Sequence, residues 1–114
     1  MGQPVVHFEI GCRDQGRTEK FFADLFGWNI ARSGPASMID TAGGGINGHI
    51  TALGHEPHHY VTVYVQVDDL PAYLKKAESL GGKTLVPPVE IPPGSFAWFA
   101  DPDGNAIGLW KPKE

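Results

Sequence analysis

The sequence holds a single cysteine, Cys12, among its 114 residues. That excludes an intrachain disulfide framework and a zinc finger built on cysteines, and it is the usage expected of a cytoplasmic protein. Long apolar runs are missing as well. No stretch approaches the roughly 18 residues of a membrane span, and the opening Met1-Gly2-Gln3-Pro4 lacks the charged and apolar regions of a secretory signal. Gly2 does not begin a myristoylation pattern, because Val6 stands where Ser or Thr is required. No membrane anchor is expected. Basic residues are few, 9 Lys and Arg against 13 Asp and Glu for a net charge of -4, and they form no stripe. Nucleic acid is therefore not the expected partner.

What the chain has in quantity is turn-formers and apolar side chains. Its 15 Gly and 10 Pro are incompatible with long uninterrupted helices, while 41% hydrophobic residues suffice for one buried core. Short strands joined by many turns follow. Over residues 5–12, Val6, Phe8, Ile10 and Cys12 alternate with His7, Glu9 and Gly11, the period of a half-buried strand. Asp14 is a candidate N-cap for a helix over 17–26, with Phe21, Phe22, Leu25 and Phe26 on one face and Gly27 as the left-handed stop.

Residues 60–67 repeat the alternation, with Val61, Val63, Val65 and Val67 against Tyr60, Thr62, Tyr64 and Gln66. Asp68 or Asp69 can cap the helix that follows, Pro71 suits its first turn, and Leu70, Leu74, Ala77 and Leu80 form its stripe before Gly81-Gly82. Short apolar segments come next in each half: 28–32, 37–41 and 47–53, then 83–86, 95–100 and 106–110. Asp101-Pro102-Asp103-Gly104-Asn105 supplies the hairpin signal of the second half and Gly43-Gly44-Gly45 that of the first. Laying Val6 on Val61 puts Asp14 on Asp69 and Gly27 on Gly82 without a gap, which supports an internal β-α-β-β-β duplication. The expectation is one α+β domain over 1–114, with module 1 at about 4–54 and module 2 at about 59–112.

If each helix covers the valine side of its first strand, the opposite side is left for something else. It carries His7, Glu9, Thr62, Tyr64 and Gln66, which either line a cavity at the repeat interface or form a wetted sheet surface. His49 alternates with Ile50, so it can point the same way as His7. Trp98 and Trp110 fall on late strands, where lining a cavity and packing a core are both open to them. Cys12 shares the helix-facing side with Phe8 and Ile10 and reads as a small buried hydrophobe. The Gly43-Gly44-Gly45 turn has neither the Lys-Ser/Thr nor the helix of a phosphate cradle. His55-Glu56-Pro57-His58-His59 gathers three imidazoles, but Pro57 breaks any helix that could align them, and the segment reads as an exposed linker able to capture nickel or zinc.

Taken in order, His7-Phe8-Glu9-Ile10, the segment ending Phe26-Gly27-Trp28, and Phe99-Ala100-Asp101-Pro102-Asp103-Gly104-Asn105 resemble the vicinal oxygen chelate superfamily, which includes glyoxalase I, extradiol dioxygenases and the fosfomycin- and bleomycin-resistance proteins. The resemblance covers nearly the whole chain. It implies paired modules forming a curved, cup-like mixed sheet with helices on the outer face, and a homodimer with its cavity at or near the subunit contact. It also implies a divalent ion held from the first and last strands of each module. His7 matches the first of those positions, but Thr62 stands where a second His is expected and Gly108 where a Glu is expected. Glycine has no side chain with which to ligate, so no metal cofactor is expected at the usual site. The leading expectation is a protein that binds a small organic molecule, with His7, Glu9, His49, Thr62, Tyr64, Trp98 and Trp110 as ligand-contacting residues. The alternative is an enzyme: a lyase, isomerase or dioxygenase with an altered metal site of His7, Glu9 and His49, or a metal-free catalyst with His7 as base and Glu9 as its orienter. A third possibility is a structural or regulatory module with no ligand.

Overall fold

The computed structural model of the chain describes residues 2–53 and 59–114. The His55-Glu56-Pro57-His58 part of the histidine run lies outside the described residues, and His59 is exposed. Two compact units are present, one of His7–Thr62 and the other of Val63–Glu114 together with the first residues up to Val6.

The first module runs β1 (Val5–Gly11), α1 (Gln15–Phe26), β2 (Asn29–Ser33), β3 (Ala36–Asp40) and β4 (Asn47–Thr51). Its strands lie in the order β2-β3-β4-β1, with β3 antiparallel to both neighbours and β1 parallel to β4. The second module repeats the order with β5 (Tyr60–Gln66), α2 (Leu70–Ser79), β6 (Lys83–Ile91), β7 (Gly94–Ala100) and β8 (Ala106–Pro112). Its strands lie as β5-β8-β7-β6, with β5 parallel to β8 and the other pairs antiparallel. Among the described residues, eight strands in mixed pairing and two helices give the expected α+β class.

The caps explain where the helices begin. The Asp14 carboxylate accepts from the Arg17 N–H at 3.0 Å, and Asp69, rather than Asp68, accepts from the Ala72 N–H at 3.0 Å. Gly27, at φ 71°, closes α1 in the left-handed conformation that glycine adopts without strain. At α2 the sequence expectation needs correcting: the helix ends at Ser79, so Leu80 leaves the buried stripe and is 70% exposed. On α1 only Phe22 of the expected apolar face is half-buried, while Phe21, Leu25 and Phe26 are exposed at 59%, 58% and 56%. β6 also outruns its expected end and carries Pro87 and Pro88. It is an edge strand, with register shifts between Thr84, Val86 and Val89 that remove the need for two donors there.

Each module has its own core. Cys12, Ile39 and Ile50 are buried in the first, with Phe8, Ile10, Phe22 and Trp28 packed against them. Val67, Leu70, Leu74, Ala97 and Leu109 form the second. Cys12 is thus the buried small residue expected, its thiol 3.6 Å from the Thr51 carbonyl oxygen. Among the described residues no helix is long and apolar enough to cross a membrane.

Candidate functional site

The site is set by the register of β1 on β4. Glu9 lies directly across the parallel ladder from His49, and His7, two residues earlier on β1, shares the face of Glu9. This register brings the three candidates from the first module together. Glu9 Oε1 is 3.2 Å from His49 Nε2, and His49 Nδ1 is 2.7 Å from His7 Nε2, with the two rings 4.9 Å apart and tilted by 31°. On the other side, the Tyr60 hydroxyl donates to Glu9 Oε2. The four side chains form a row: Tyr60, Glu9, His49, His7. His49 lies between Glu9 and His7 in this row.

Tyr60 was not among the expected site residues. Two signals in the sequence bear on it. It shares the alternation of Thr62 on β5, and Gly11 on β1 has no side chain. A Cβ at Gly11 would lie 2.1 Å from Tyr60 Cε2, so the glycine is what lets the ring cross β1 and reach the carboxylate.

Burial decides how this side of the strands behaves. Glu9 and Thr62 are each 4% exposed, whereas Val61, expected under the helix, is 73% exposed. A wetted surface is therefore the wrong description for Glu9 and Thr62. Burial, with the neighbouring His49 reinforcing it and Glu9 partly opposing it, lowers the His7 pKa from 6.5 to about 4. At neutral pH His7 is an uncharged imidazole able to accept a proton. Tyr60 is held protonated far above its ordinary range, first by burial and then by its hydrogen bond to Glu9. It remains a donor at every physiological pH.

The remaining candidates sit in the second unit. Tyr64 and Trp98 are buried, the Trp98 indole N–H donating to the Tyr64 hydroxyl at 2.8 Å. Trp110 is half-buried and covers Gly94, where a Cβ would lie 2.9 Å from the indole ring. Gly108 faces Tyr64: a Cβ there would come within 2.4 Å of two of its ring carbons. The place at which the resemblance expects a carboxylate is taken by an aromatic ring. Among the described residues no group of three His, Cys, Asp or Glu side chains is disposed to hold a metal ion.

Comparison with known proteins agrees with this architecture. The profile of the Glyoxalase/Bleomycin resistance protein/Dioxygenase superfamily matches residues 5–109. A glyoxylase-like domain-containing protein of Didymella fabae is 32% identical over 116 residues, which cover 92% of this chain and 91% of the fungal protein. The anthracycline biosynthesis protein DnrV of Streptomyces peucetius is 27% identical over 130 residues covering 91% of this chain, which spans only 45% of DnrV. Among solved structures, methylmalonyl-CoA epimerase from Mycobacterium tuberculosis superposes with a TM-score of 0.74 over 96% of this chain and 88% of that one, at 14% identity, a likeness of fold alone. The duplicated β-α-β-β-β order and the profile match over nearly its full length place the chain in the Glyoxalase/Bleomycin resistance protein/Dioxygenase superfamily.

Proposed function

We propose that the chain binds a small organic molecule without the divalent ion that its family resemblance implies, and that the row of Tyr60, Glu9, His49 and His7 provides the polar groups of the site. The carrying observation is the commitment of both His49 nitrogens, one to Glu9 at 3.2 Å and the other to His7 at 2.7 Å. A metal ion needs ligand lone pairs converging on one point. Here each contact pairs a donor with an acceptor, so both His49 nitrogens are engaged by protein groups, which supports a site that works without an ion. The Tyr64 ring against Gly108 is a second support. Thr62, Tyr64, Trp98 and Trp110 belong to the proposal as apolar and hydroxyl contacts, each within its own unit.

A second reading, metal-free proton transfer, is favoured by one observation: His7 is neutral at physiological pH and backed by His49 and Glu9. His7 is then the base and His49 its positioning residue. The test is a metabolite-like library screened by thermal shift on untagged protein, with and without a chelator. A hit that survives chelation and is weakened by His7→Ala supports the binding reading, and turnover of that hit moves the assignment to the second. Binding or activity abolished by chelation and restored by one metal replaces both with the altered metal site of His7, Glu9 and His49. The proposal includes a homodimer, for which the exposed Phe21, Leu25 and Phe26 on α1 supply apolar surface to bury.

A further inference from the structure

The two modules share a helix-on-sheet design and fill it differently. With Val6 on Val61, Phe8 falls on Val63, Phe22 on Ala77, Phe26 on Gly81 and Trp28 on Lys83. In the strand ladders Ile10 pairs with Ile50, and its counterpart Val65 pairs with Leu109. In the first module Phe22 stacks on Trp28 at 5.5 Å and 16°, and Phe26 and Phe8 lie 5.0 and 5.7 Å from the same indole. Four rings form one cluster there. The second module has none of the four at the matching positions, and a solvent-open cavity of about 310 Å³ lies beside α2, lined by Val65, Val67, Tyr73, Ala77, Phe99 and Leu109 among others.

Size and lining narrow the occupant. Natural ligand pockets begin at about 300 Å³. Water gains little from a lining of this kind, whereas an apolar ring gains dispersion contact with it. The rim carries one charge of each sign, Lys76 and Asp101. The Asp101 oxygens already accept from the N–H groups of Asp103 and Asn105 and from the Asn105 amide. With one charge of each sign the edge is neutral overall. We infer that this cavity is a binding site for an uncharged aromatic molecule of one or two fused rings, seated where the first module keeps its own Phe22, Phe26 and Trp28. It lies wholly within the unit of Val63–Glu114, while the Tyr60 to His7 row lies wholly within His7–Thr62, so the two assignments stand or fall separately.

Indole is the probe. Titrated into the full-length chain and followed by amide proton–nitrogen correlation spectra, it is expected to give saturable shifts confined to Val65, Ala77, Phe99, Leu109 and their neighbours. Ala77→Phe, which returns a ring to the cavity, is expected to weaken indole at least tenfold. Ala77→Leu, a smaller filling that guards against misfolding of the first variant, gives an intermediate loss. Absence of saturable shifts up to the solubility of indole, or shifts that persist unchanged in both folded variants, overturns the inference.

Discussion

Tyr60→Phe isolates one hydrogen bond of the site. The ring stays seated over Gly11, where a Cβ would approach it to 2.1 Å, so packing is retained and only the hydroxyl is lost. Glu9, at 4% exposure, then gives up the donor that Tyr60 directs at Oε2. Hydrogen bonds to charged groups contribute about 1.5–3 kcal/mol, and the penalty is largest when the group left behind is buried. For a domain of this length each kcal/mol moves the melting temperature by about 4 °C, so a fall of roughly 6–12 °C is expected. Urea denaturation should show the same loss as a lower midpoint with an unchanged m-value. Repeating the substitution in a Glu9→Gln background separates the pair from the rest: there Tyr60→Phe should cost about 1 kcal/mol less, because the charge it served is gone. A melt within about 2 °C of the parent, or an equal cost in both backgrounds, refutes the role assigned to Tyr60.

Acidification tests His7. Its folded pKa of about 4 lies below the ordinary 6.5, so the unfolded chain binds the proton first, and stability falls as the pH drops from about 6.5 toward 4. With the shift discounted for partial exposure, the loss traceable to His7 is about 1–2 kcal/mol, and it should vanish in His7→Gln. An unchanged pH slope in that variant contradicts the assignment. Gly108→Ala should destabilise by about 1–3 kcal/mol and alter the near-ultraviolet signal of Trp98, because the new methyl group displaces Tyr64, the acceptor of the indole N–H; a neutral substitution shows that Tyr64 does not fill that place. Light scattering over a dilution series should give twice 12.3 kDa at high micromolar concentration, and a mass near 12.3 kDa contradicts the dimer.

Local chemistry made much of the fold readable. Asp14, Asp69 and Gly27 announce helix ends because caps depend on one side chain or one backbone angle. Where a boundary depends on tertiary context the sequence misleads: Leu80 continues the periodic stripe, yet the helix has already stopped at Ser79. The apolar segment 83–86 stops short of Pro87 and Pro88, which β6 accommodates because it is an edge strand. At the site, alternation alone put His7, Glu9 and His49 on one side of their strands. Their order in the row was hidden, because it follows from the pairing of Glu9 with His49, a contact between residues distant in sequence. Tyr60 was hidden for the same reason, since its reach to Glu9 depends on the bare backbone of Gly11 on another strand. The unequal filling of the two modules, by contrast, is written in the repeat itself: Phe22, Phe26 and Trp28 against Ala77, Gly81 and Lys83.

The most direct test of the metal-free reading is elemental analysis of untagged protein, purified without added metal and gently dialysed. With His49 engaged by Glu9 and His7, and Tyr64 over Gly108, the preparation should carry well under one equivalent of divalent ion per chain. Near-stoichiometric zinc, iron, manganese or nickel surviving dialysis, and lost in His49→Ala, would contradict it.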